Sequence, residues 1–368
     1  MKIDNITITI FTWDNIPATR YHAGSVVPSA SNLGLLRIST DEGLEGHAFL
    51  GSAGNPASMD APQLIRWLKP LLMGQNPLER ERLHGQMLKL SRSVSYRCIG
   101  AVDVALWDLA GKFAELPIHA LIGTAKTSIP AYASSQVLAG AEAYVEQAQQ
   151  FKQAGWRAYK IHPPTQPATD IRVCEAVRHA VGDAYTLMLD STWSYKYPEA
   201  LRVGYVAEDL GFLWYEDPLA DEDIYSYVKL RDKLDIPIMA TEFPAGGLDT
   251  YPIWVMERAT DYLRGDIPNK GGLTTMLKTA HLAEAFGMNY EIHHSGNSLN
   301  NLANLHLACA LRNCDYFEVL LPHEAHKYGM AVELEIDAQG LMHAPTASGL
   351  GAEIDLELIR RKTETVLS

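Results

Sequence analysis

The sequence predicts an α/β protein, a (β/α)8-type TIM barrel preceded by an N-terminal α+β capping domain. Three observations predict it. From about residue 126 onward, eight short apolar runs alternate with helical stretches, and polar residues end those runs at nearly constant spacing. The first 50 residues instead alternate apolar and polar side chains around a turn, the pattern of a small antiparallel sheet.

Taken in order, "KIDNITITIF" and "LGLLRISTDEGLEGHAF" read as strands with a DEG turn between the last two. "MDAPQLIRWLKPLLMGQ" has helical apolar spacing, with Asp60 as its expected N-cap and Gly74 near its end. "GAVDVALWDLAGKFAELPIHALIG" predicts a second helix broken at Leu116–Pro117. These segments form the expected capping domain, residues 1–125. The barrel, residues 126–325, takes its strands from "IPAYAS", "AYKIH", "YTLMLD", "FLWYED", "PIMATE", "YLRGDI", "MNYEIH" and "DYFEVL". Eight such units favour a closed parallel barrel over an open sheet.

Composition narrows the function. A chain of 368 residues with 47% hydrophobic and 20% charged residues has the make-up of an ordinary globular protein. Its 31 basic against 44 acidic residues give a formal charge of −13, which disfavours nucleic acid and anionic membranes as partners. A small anionic substrate stays compatible, because a bound cation inverts the local field. No apolar run is long enough to span a bilayer, and no leader pattern opens the chain. Cys98, Cys174, Cys309 and Cys314 show neither CxxC nor zinc-finger spacing, so reduced thiols and a cytoplasmic location are expected.

The strand-ending polar residues carry the chemistry. Asp190 to Glu216 is 26 residues, Glu216 to Glu242 is 26, Glu242 to Asp266 is 24, and Asp266 to His293 is 27. Each therefore stands at the same point of successive strand–helix units, the C-terminal mouth of the barrel. Alone, Asp190 or Glu216 reads as a salt bridge or a helix cap. Three carboxylates at one register read as a ligand set, since they repel unless a cation holds them, and hard oxygen donors with room for water suit Mg²⁺.

The run "AVDVALWDLAGK", then "YKIH", the three carboxylates, "RGDIPNKGG" and "YEIHHSGN" resemble the enolase superfamily, and within it the mandelate racemase-like group. The resemblance spans essentially the whole chain. It implies a capping domain, a barrel and a C-terminal segment, residues 326–368, that returns to the cap. It also implies loops near Tyr21 and His22 and around "FLGSAGN" that close over substrate, with specificity in residues 19–24 and 49–56. Homo-oligomers are common in the family.

The chemistry implied is removal of a proton α to a carboxylate, with Mg²⁺ on Asp190, Glu216 and Glu242 stabilising the enediolate and Lys160 adding a cation at its oxygens. A Lys or His base beside Mg²⁺ is the strategy of the superfamily at large. Asp266 would orient His293, which serves as base or as the acid for a departing hydroxyl. His293 is preferred over its neighbour His294 for its spacing from Asp266, and His294 is left to touch substrate or loop. Glu318, ending the eighth strand, is a candidate for hydrogen bonding the enediolate. Two departures stand out. Many relatives carry Lys-x-Lys on the second strand, but here it reads Lys160-Ile161-His162, so that His162 takes the place of the second lysine. Thr192 stands where many relatives have Asn. Lys270 reads as solvated, Asp217 as support for its neighbour, and Trp193 and Tyr215 as packing or recognition.

The reading that follows is a Mg²⁺-dependent sugar-acid dehydratase giving a 2-keto-3-deoxy acid. A racemase or epimerase and a lactone cycloisomerase share its first step. A barrel that binds sugar acids without turnover is a further alternative. A zinc metallohydrolase is disfavoured, since its early HxH strand is missing.

Overall fold

The computed structural model describes residues 1–22, 27–242, 247–294 and 296–368. Alternation builds the first layer as expected. In β1 (Ile3–Trp13) Ile6, Ile8 and Ile10 are buried while the threonines between them are partly exposed. β1 pairs antiparallel with β2 (Ser31–Thr40), which pairs with β3 (Glu45–Leu50) across the expected turn.

The first helical stretch differs from its expectation. Its helix spans Ala57–Gln63 with Pro56 at the N-cap, so Asp60 lies inside it, and its carboxylate is held by Arg97 rather than capping. Pro62 and Pro70 interrupt the run, which continues as a π-turn, Leu64–Leu68, and a short helix, Lys69–Leu72, stopping before Gly74.

The helix Tyr96–Phe113 is capped by Ser95 and ends before the Leu116–Pro117 break, after which Ile118–Ile122 resumes. Two buried acids on it tie the layers together. Asp108 accepts from the backbone N–H of His47 at 2.9 Å and of Leu350 at 2.8 Å. Asp103 accepts from the backbone and hydroxyl of Thr274, at 2.8 and 2.6 Å, at the start of the barrel helix Leu273–Ala285. Gly272 stands at φ +111°, and a Cβ there would meet Asp103 at 2.3 Å, so this junction requires glycine.

Eight parallel strands close the barrel: β4 (Ser128–Ser134), β5 (Ala158–Ile161), β6 (Thr186–Asp190), β7 (Tyr215–Glu216), β8 (Ile238–Ala240), β9 (Tyr262–Gly265), β10 (Asn289–Ile292) and β11 (Phe317–Leu320), with β11 pairing back onto β4. β4 begins one residue before its sequence candidate, at Ser128, and the other seven fall within theirs. Outward residues such as Tyr159, Leu187, Tyr215 and Ile238 join the large core shared with the surrounding helices. Inward residues Tyr132, Ala158, Met188, Trp214 and Met239 form a separate apolar layer inside the barrel. The segment after residue 325 contributes β12 (Leu341–His343), antiparallel to β4, and then β13 (Thr363–Leu367), antiparallel to β1. All four cysteines are buried and free. Among the described residues no helix is long and apolar enough to cross a membrane.

Candidate active site

Strand alternation sets the mouth directly above the apolar layer. Ala158 and Lys160, Met188 and Asp190, and Trp214 and Glu216 are pairs two residues apart, the first apolar and the second charged. Ligand atoms of Asp190, Glu216 and Glu242 lie within 4.8 Å of one another, and all three residues are buried. Lys160 is wholly buried among acids, its Nζ 2.7 Å from Glu318 Oε1, 2.9 Å from Glu216 Oε2 and 3.2 Å from Asp190 Oδ2.

Both histidines stand beside this centre. His162 Nε2 is 2.9 Å from Asp190 Oδ2. His293 Nδ1 is 2.6 Å from Asp266 Oδ2, and its Nε2 is 3.2 Å from Glu242 Oε1. Burial pushes Glu242 up to about 8. Burial alone would lower His293, but Glu242 and Asp266 outweigh it and hold the imidazole up at about 9. Glu318 goes the other way, held well below the usual carboxylate range because Arg264 and Lys160 outweigh its burial.

The mouth opens into a cavity of about 510 Å³. His162, Asp190, Thr192, Trp193, Glu242, Asp266, His293 and His294 line its barrel side. Tyr21, His22, Phe49, Leu50, Ser52 and Asn55 line the cap side, so both expected loops reach the site. Residues 23 and 24 of the first loop lie outside the described residues. Tyr21 donates its hydroxyl to the Leu321 carbonyl at 2.6 Å, and its ring stands edge-on to His162 with centroids 5.1 Å apart. Lys160, Glu216 and Glu318 lie beneath the lining, and the second oxygen of Glu318 accepts from the backbone N–H of His294 at 3.0 Å.

Three residues, Arg264, His326 and Lys270, take places the sequence reading missed or misjudged. Arg264, in the middle of β9, is fully buried with its Nε 2.8 Å from Glu216 Oε1 and 3.2 Å from Glu242 Oε2, and it also pairs with Glu318. His326, beyond the last barrel strand, puts its Nε2 2.5 Å from the Tyr21 hydroxyl, and burial pushes it down to about 3. Lys270 is buried, not solvated, and burial lowers it to about 8. Tyr215 is core packing, whereas Trp193 faces the cavity. Strand alternation could have found Arg264, which stands two residues before Asp266. Nothing local to its sequence marks His326.

The donor set fits a hard divalent cation: three carboxylates at one point, and Glu216 Oε1 buried without a well-angled hydrogen bond. Residues 7–123 match the mandelate racemase / muconate lactonizing enzyme N-terminal domain, and residues 143–358 match the enolase C-terminal domain-like family. The chain is 28% identical to the arabinonate dehydratase of Saccharolobus solfataricus, over 86% of this chain and 87% of that protein. It is 27% identical to the D-galactarolactone cycloisomerase of Agrobacterium fabrum, over 88% of this chain and 89% of that protein. The crystal structure of D-glucarate dehydratase from Agrobacterium tumefaciens complexed with magnesium superposes with a TM-score of 0.90 at 32% identity, covering 99% of this chain and 100% of the other. Matches to both family domains, over most of the chain, make it a member of the mandelate racemase / muconate lactonizing enzyme family of the enolase superfamily.

Proposed function

We propose that the chain is a sugar-acid dehydratase, removing the α-proton of an aldonate or aldarate and expelling the β-hydroxyl as water to give a 2-keto-3-deoxy acid. The observation that carries this reading is the Asp266–His293 pair, 2.6 Å apart, facing the cavity beside the carboxylate centre. Asp190, Glu216 and Glu242 would hold Mg²⁺, which when bound would supply Lewis-acid stabilisation of the charge that develops on the substrate carboxylate. His162, on β5's side of the mouth, takes the α-proton, and Lys160 adds positive charge beneath the substrate. His293, aligned by Asp266, delivers a proton to the departing hydroxyl as the C–O bond breaks. The enol that remains tautomerises to the 2-keto product.

The division into a cap of residues 1–125, a barrel of 126–325 and a returning segment of 326–368 belongs to the same proposal, supported by β13 on β1. So do a cytoplasmic setting and a homo-oligomeric assembly. One observation favours a second reading. His162 and His293 approach the centre from different strands, β5's and β10's ends, and two bases on two faces suit an epimerase. A panel of aldonates and aldarates with Mg²⁺, assayed for semicarbazone absorbance, tests the first reading. One acid yielding a 2-keto product supports it; inversion of an acid without any 2-keto product replaces it with the second.

A further inference from the structure

Four carboxylates, Asp190, Glu216, Glu242 and Glu318, meet two buried cations at the mouth, Lys160 and Arg264. Their formal sum is two negative charges. Arg264 is the cation without an assigned part. It sits at the centre of β9 with no exposed surface, and its side chain meets Glu216, Glu242 and Glu318 and, at 3.3 Å, the Tyr132 hydroxyl.

We propose that Arg264 is a positioning residue acting as a resident counter-cation: it keeps the carboxylate centre assembled before a divalent ion binds and sets the charge left for that ion at two. This rests on the metal reading given above. A guanidinium suits the task, because it stays protonated when buried and presents a fork of donors to several acids at once. Without it these acids would be buried charges lacking a partner, the costliest state for a carboxylate away from water. The contact with Glu216 is coulombic and does not consume the acceptor: Arg264 Nε lies 2.8 Å from Oε1, yet that oxygen receives no well-angled hydrogen bond. The same oxygen can therefore serve an ion while Arg264 remains in place.

The proposal separates from a scaffold role by the sign of one effect. If Arg264 merely braced the ligands, its loss would loosen them and weaken ion binding. As a counter-cation, its loss leaves three negative charges, which destabilises the ion-free protein and strengthens its attraction for Mg²⁺. The Asp266–His293 pair is common to every variant and does not alter the comparison.

The test is calorimetric titration of metal-stripped protein with Mg²⁺, with thermal melts with and without the ion, for wild type, R264Q, E318Q and R264Q/E318Q. R264Q is expected to melt lower without Mg²⁺, to bind it about tenfold or more tightly, and to gain more from it in the melt. E318Q, near-isosteric and not one of the three ligands, is expected to bind Mg²⁺ about tenfold more weakly. The double variant restores the sum of two and returns toward wild type. Unchanged or weaker binding by R264Q, or a double variant no nearer wild type, overturns the proposal. If R264Q does not fold, E318Q decides alone, and unchanged or tighter binding there overturns it. Wild type that binds no Mg²⁺ overturns the metal reading itself, and the charge count with it.

Discussion

Inside the barrel, Tyr132, Ala158, Met188, Trp214 and Met239 fill the lower level with apolar side chains, while Lys160, Asp190 and Glu216, two residues further along the same strands, fill the upper level with charge. The two levels touch where the Trp214 indole donates to Glu216 Oε2 at 3.2 Å. Burying the lower level stabilises the fold, each large side chain by about 2–3 kcal/mol. Burying the upper level costs free energy that ion pairing only partly offsets. The difference teaches that one strand can carry stability at one end and reactivity at the other, with a two-residue step between them.

Substitutions can break this division from either level. The largest effect is expected from E242Q, which removes a ligand charge. Turnover should fall on the order of 10³-fold, while the melting temperature moves by only a few degrees because like charges are also relieved. Steady-state kinetics and a thermal melt on one preparation check both halves. D266N leaves His293 unaligned, and kcat should fall about 10²-fold with a smaller change in KM. W214A should do the converse. Removing the largest side chain of the apolar layer should cost about 3–5 kcal/mol in denaturant unfolding, read as a lower midpoint, while any folded fraction still binds Mg²⁺.

The smallest effect tests whether acid sensitivity is confined to the upper level. His306, on the helix Ser298–Ala310, accepts from the backbone N–H of His119 at 3.2 Å and donates to the Leu350 carbonyl at 3.0 Å. Burial pushes it down to about 4. Its unfolded form titrates near 6.5, so between those values the unfolded chain binds more protons and stability falls as pH drops. The contribution is on the order of 2–3 kcal/mol across that window. Unfolding at pH 7 and pH 4.5 should show a shallower loss in H306N than in wild type.

Much of this division was legible in the sequence. The eight apolar runs and the spacing of Asp190, Glu216, Glu242, Asp266 and His293 record strand period and barrel register, both local and repetitive signals. Arg264 shares a face with Asp266 by strand alternation, but only its three distant acid partners explain why a charge there is buried. Lys270 looked solvated beside two glycines, but the turn they form folds it inward against the Tyr251 ring, 5.1 Å away. Asp60 looked like a cap because helix propensity begins there, whereas its partner Arg97 is a tertiary contact with no local trace. His326 reaches the mouth only through the path of the chain after β11.

The central claim, that the charged level removes a proton α to a carboxylate and drives out water, is tested most directly by ¹H NMR of a sugar-acid panel incubated with the protein and Mg²⁺ in D₂O. The account predicts that one acid loses its C2 proton signal as a 3-deoxy signal carrying one deuterium grows in. Loss of the C2 signal with inversion alone would contradict dehydration, and a panel in which Mg²⁺ binds but no acid exchanges its C2 proton would contradict the account as a whole.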